Sequence, residues 1–72
     1  QQGQAATTAL NAANEEAVAA FLAERIGFMD IARVNEATML ALGSSPVGSL
    51  DDLIALDGAA RARAHNLIEE LS

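Results

Sequence analysis

From Leu10 onward the apolar residues of this chain recur at helical rather than strand spacing. Taken at about 100° per residue from Leu10, the positions Ala13, Ala17, Val18, Phe21 and Leu22 share one broad face, and Asn14 falls near its middle. An amide buried there without partners costs about 1–3 kcal/mol, so Asn14 is expected to meet backbone or side-chain groups of another segment. Asn11 lies at the edge of the same face, one turn before Glu15. A first helix is expected to start at Thr7 or Thr8, either of which can cap it, and to run to Glu24 or Arg25. Residues 1–6, with Gly3 near their start, carry no period and read as the end of a linker entering a domain over residues 7–72.

Gly27 is expected to stop the first helix, because glycine tolerates the left-handed backbone just past a helix end. Asp30 then reads as the N-cap of a second helix over Ile31–Leu42, with Met29 and Val34 spaced as a hydrophobic staple. Ile31, Val34, Thr38, Ala41 and Leu42 form its inward face, and Gly43 ends it. Ser44 to Gly48, with Pro46 at the centre, reads as a surface loop too short to divide domains. Ser49 and Asp52 are spaced as a capping box ahead of a short helix carrying Leu53, Ile54 and Leu56. Asp57-Gly58 is expected to interrupt that helix, with Asp57 capping a last one along Ala60, Ala64, Leu67, Ile68 and Leu71. The alternative merges the last two into one kinked rod. The pattern thus predicts an all-α fold, a small bundle of four or five short helices.

Composition narrows what such a bundle can do. Seventy-two residues make one small domain at most, and a chain of about 60 residues buries only roughly 60% of its unfolded surface. Much of the 51% hydrophobic fraction is alanine, which permits close helix approach but contributes little area. Ten acids against four arginines and no lysine give a formal net charge of -6, which excludes the clustered cations that nucleic acid or an anionic membrane needs. No apolar run approaches the roughly 20 residues of a membrane span. The absence of cysteine rules out disulfides and thiolate metal sites and fits a reducing, cytoplasmic setting. The chain begins with Gln1 rather than Met and reads as a fragment of something longer.

The candidate chemistry is sparse. His65 is the single histidine, with no nucleophile or carboxylate at catalytic spacing, and reads as a polar-face residue of the last helix. The acid pairs Asp51-Asp52 and Glu15-Glu16 are adjacent in sequence, so their side chains diverge on a helix where a metal or acid–base site needs convergence. Ser49 ahead of a helix prompts comparison with acyl carriers, but it follows Gly48 rather than an aspartate, and too few residues follow it. Asp57 and Arg61 stand at i and i+4 in the favourable order, suited to an ion pair that fixes the expected bend. Arg61 reaching an acid of another domain is the open alternative. No residue is expected to be catalytic, cofactor-binding or metal-binding. Asn11, Asn14, Glu15, Asp30, Ser49, Asp52, Asp57 and Arg61 are expected to be structural.

Ala6-Thr7-Thr8-Ala9-Leu10-Asn11-Ala12-Ala13-Asn14-Glu15, then Ala17-Val18-Ala19-Ala20-Phe21-Leu22, then Ile26, Phe28, Asp30 and Ile31 together resemble the terminal domain of the 1-deoxy-D-xylulose 5-phosphate reductoisomerase family. Ser49-Leu50-Asp51-Asp52-Leu53 and the stretch Asp57 to Arg61 are similar to its closing segment. Gly27 departs from the pattern, standing where bacterial relatives often carry a polar residue. The resemblance implies a parent enzyme of non-mevalonate isoprenoid biosynthesis. It would convert 1-deoxy-D-xylulose 5-phosphate to 2-C-methyl-D-erythritol 4-phosphate with NADPH and a divalent cation, Mg or Mn. It also implies an N-terminal dinucleotide-binding domain and a central metal-binding domain as partners in the same chain, and a homodimeric parent. No metal-binding or substrate-binding motif of the family has a matching position here, so the expected role is a non-catalytic brace. A free-standing small acidic helical interaction or carrier module is the rival class.

Overall fold

The computed structural model describes residues 3–72, which form three helices: α1 (Gln4–Leu22), α2 (Phe28–Leu42) and α3 (Leu50–Leu71). Helices alone occur among the described residues, as the apolar period implies, but in three elements rather than four or five. Helix α1 starts three residues before Thr7, with Gly3 at its N-cap, so Gln4 to Ala6 of the expected linker are helical. Residues 1 and 2 of that linker lie outside the described residues.

Gly27 does not stop α1. The helix ends at Leu22, and Glu24 takes the left-handed conformation at φ 61°. The Arg25 amide donates to the Ala20 carbonyl and the Glu24 amide to the Phe21 carbonyl, both at 2.9 Å. This pair of reversed hydrogen bonds satisfies carbonyls left free at the helix end, as glycine does in other chains. Gly27 instead caps α2 at extended φ and ψ, and Asp30 lies at the third helical position rather than at the cap. The Gly27 amide donates to Asp30 Oδ2 at 2.9 Å, so the aspartate serves the same helix start from inside it. Phe28 and Met29 therefore belong to α2, and Met29 is exposed, so no staple forms with Val34.

Asp57-Gly58 does not interrupt α3, which runs unbroken for 22 residues. At about 1.5 Å per residue that helix is roughly 33 Å long and accounts for most of the 37 Å longest dimension. Leu56, Ala60, Ala64 and Ile68 keep one buried stripe across the glycine, and the packing of that stripe outweighs the helix-interior cost of Gly58. At the other end of the connecting loop, a Cβ on Gly43 would approach the Met39 carbonyl oxygen to 2.5 Å, which explains the glycine where α2 stops.

Helix α1 packs extensively against both other helices, which touch each other less. Its buried residues are all alanine: Ala5, Ala9, Ala12, Ala13, Ala17 and Ala20. Ala13, Ala17 and Ala20 join one cluster with Ile26, Val34, Ala64 and Ile68, and Ala9 and Ala12 join another with Ala60. The buried face of α1 is thus rotated from the expected one onto its alanines. Leu22 is exposed, Leu10 and Val18 sit at the rim, and Asn14 is exposed beside α2 rather than central. On α2, Val34 and Thr38 are buried as expected and Ile31 and Leu42 partly so, whereas Ala41 is exposed. The small methyls let α2 and α3 both approach α1 closely, so the larger buried side chains, Val34, Leu56 and Ile68, come from α2 and α3 rather than from α1.

Candidate functional site

The densest polar arrangement lies where α3 crosses the middle of α1. Arg61, held among the alanines Ala60 and Ala64, projects along α1 and donates to three carboxylates. Its Nε donates to Asp57 Oδ2 at 2.8 Å, one turn earlier on α3. Its Nη1 donates to Glu16 Oε2 at 3.0 Å and its Nη2 to Glu15 Oε1 at 2.9 Å, both on α1. The planar guanidinium fork is what permits one side chain to serve three acids at once. The Asp57 hydrogen bond, then those of Glu15 and Glu16, hold the guanidinium well above its ordinary proton affinity, against a small opposing loss of hydration. Glu16 uses its second oxygen as well: His65 Nε2 lies 2.8 Å from Glu16 Oε1, an ion pair only when the imidazole is protonated.

Asp57 and Arg61 do pair at i and i+4, but on a straight helix, so the pair fixes no bend. The acids that Arg61 reaches outside α3 belong to α1 of the same chain. Asn14 Oδ1 accepts from Asn35 Nδ2 on α2 at 3.0 Å, which puts the amide in contact with a neighbouring helix although its position is exposed. Asn11 is exposed on the same side of α1. Ser49 Oγ accepts from the Asp52 amide at 3.1 Å, while Asp52 Oδ2 accepts from the Gly48 amide at 2.8 Å, one residue before the cap. Asp30 also pairs with Arg33, at 3.3 Å.

Sequence reasoning missed Glu16, His65 and Asn35 as members of these contacts, and the Arg25–Glu69 pair at 2.6 Å that ties the connection following α1 to the end of α3. One signal was available: Glu15 and Glu16 are adjacent acids near the middle of a helix, where no N-terminal dipole explains them.

The arrangement holds helices together and offers little chemistry. A cation already fills the space between Glu15, Glu16 and Asp57, and among the described residues no group of three or more His, Asp or Glu side chains is placed to hold a metal ion. These residues do not fit a divalent cation or a nicotinamide dinucleotide. An open hollow lined by Gln4, Val47, Gly48, Ser49, Leu50 and Leu53 lies at the end of the bundle where α1 begins, and it contains no ionisable side chain. No helix among the described residues is long and apolar enough to cross a membrane.

Fold and site together define an acidic, alanine-packed helical domain whose polar groups fasten its helices. Residues 1–63 match the family model described as the DXP reductoisomerase C-terminal domain, and the chain belongs to that family. It is 99% identical over 72 residues to the 1-deoxy-D-xylulose 5-phosphate reductoisomerase of Aeromonas salmonicida, covering 100% of this chain and 18% of that protein. The Aeromonas hydrophila protein of the same name is 94% identical over the same span and share. That of Shewanella baltica strain OS155 is 49% identical over 71 residues, 99% of this chain and 18% of that protein. The chain therefore spans 18% of the length of these relatives.

Proposed function

We propose that this chain is the C-terminal helical domain of a bacterial, cytoplasmic reductoisomerase that converts 1-deoxy-D-xylulose 5-phosphate to 2-C-methyl-D-erythritol 4-phosphate, and that it braces the enzyme without taking part in the chemistry. The observation that carries this reading is the identity of 99% across all 72 residues with a piece of a protein bearing that enzyme's name. In the parent enzyme NADPH supplies the hydride and a divalent cation, Mg or Mn, supports the rearrangement. Both bind in the N-terminal and central domains of the same chain, because the residues here offer neither a converging acid cluster nor a phosphate cradle. The parent functions as a homodimer.

The brace role follows from where the fastening lies. Arg61 joins α1 to α3 at mid-height and Arg25–Glu69 joins them at one end, so the bundle keeps its shape while its outer faces stay free for the preceding domains. The test is NADPH oxidation with 1-deoxy-D-xylulose 5-phosphate and Mg. The expected result is turnover by the full-length protein and none by the 72-residue chain alone. Turnover by the isolated chain, or none by the full-length protein with a well-formed nucleotide domain, overturns the reading.

A further inference from the structure

The hollow at the start of α1 is an unfinished piece of core. Leu50 and Ile68 lie about five turns apart on α3 and point the same way. Ile68 is 1% exposed, whereas Leu50 is 71% exposed. What differs is the cover. Helix α1 begins only at Gln4, whose side of the first turn borders the hollow, and α3 continues beyond it. Val47 and Leu53 stand half-buried around the same hollow, so three apolar side chains converge there with no packed lid among the described residues. The lining is mixed: Gln4 and Ser49 share the hollow with these three apolar side chains, and the neighbouring carboxylate of Asp52 is turned to the Gly48 amide.

Helix α1 opens here at Gly3, whose φ of 88° lies in the left-handed region that a side chain disfavours. The relatives extend far beyond the 18% that this chain covers, and its family is described as the C-terminal domain, so in those proteins a long stretch precedes the matched part. We infer that the polypeptide preceding Gln1 in the full-length protein folds over this hollow and buries Leu50 and Leu53 beneath an apolar side chain of its own. The inference rests on the reading that this chain is one domain of a longer protein. A tethered segment is present at an effective concentration on the order of millimolar, which favours it over a second copy arriving from solution.

The test uses the full-length protein with its other cysteines removed. Leu50→Cys is combined with single cysteines placed in turn through the segment preceding Gln1, and each pair is treated with a short thiol crosslinker. Asn14→Cys with Asn35→Cys is the positive control, since those side chains already touch. The expected result is an intramolecular crosslink at one or a few neighbouring positions. Leu50→Asp, at an exposed position, is expected to leave amide protection within α1 to α3 unchanged. It is also expected to speed exchange in the preceding segment on the order of tenfold, the effect of losing part of one leucine's burial. A working control without any crosslink from Leu50, a crosslink joining two copies instead, or unchanged exchange in Leu50→Asp overturns the inference. None of these readouts depends on turnover, so the assay of reductoisomerase activity fails or succeeds separately.

Discussion

Thr38→Val should make the bundle more stable, although it removes a polar group from a helix rich in polar residues. Thr38 is 0% exposed, and its Oγ1 is buried with no hydrogen-bond partner. A buried hydroxyl left unsatisfied costs about 1–3 kcal/mol. Valine has the same branched shape and nearly the same helix propensity, so neither rotamer freedom nor backbone preference shifts the balance. The added methyl contributes about 0.8 kcal/mol by its burial. Even at the low end the gain is about 1 kcal/mol, which for a domain of this size raises the melting temperature by about 4–8 °C. Thermal unfolding followed by far-ultraviolet circular dichroism measures it, with Thr38→Ser as the partner variant. Serine keeps the hydroxyl and loses the methyl, so it should lower the melting temperature. A fall for valine with no change for serine would show that the hydroxyl has a partner, and would refute the reasoning.

Three further outcomes follow from particular contacts. Gly58→Ala should stabilise the chain by about 0.5–1 kcal/mol in the same melt, because the position is exposed within an unbroken helix and a Cβ there meets nothing within 4 Å; destabilisation would mean that α3 bends at this point. Ser49→Ala should cost about 0.5–2 kcal/mol by freeing the Asp52 amide at the start of α3. Arg61→Lys should lower the melting temperature more than Arg25→Lys, since an ammonium cannot serve three carboxylates while Arg25 serves one; equal shifts would show that the fork contributes nothing beyond its charge.

The helical class of the fold was legible because the apolar residues recur at helical spacing through most of each helix, and the Ser44 to Gly48 loop was legible from Pro46 and Gly48. What stayed hidden were positions where local chemistry permits two answers. Asp57-Gly58 carries the sequence of a cap, but the Asp57 carboxylate is drawn sideways by Arg61, and the buried stripe from Leu56 to Ile68 continues through it. Gly27 carries the sequence of a stop, but Glu24 takes the left-handed residue three positions earlier, and the glycine is left to open the next helix. At the Asn11 to Glu15 run, the period counted from Leu10 put Ala13 and Ala17 on the inward face correctly but added Val18 and Leu22 to it and set Asn14 at its middle. The real contact face consists of Ala9, Ala12, Ala13 and Ala17, because the number and closeness of the neighbouring helices, which no single helix encodes, decide which side is inside. The Arg61 junction was half legible: its pairing within α3 follows from spacing, whereas its reach to Glu15 and Glu16 depends on how closely α1 and α3 approach.

That closeness has a mechanical consequence. Ala9, Ala12 and Ala60 bring α1 and α3 together through methyl groups at one cluster, with Leu42 packed against it, and Ala13, Ala17 and Ala64 do so at the other beside Ile68. Helices separated by long side chains can shear by letting rotamers adjust, but methyl groups have no rotamers with which to yield. A displacement of α1 where the chain enters at Gly3 must therefore carry α3 with it, and the bundle behaves as a stiff lever along its 37 Å length.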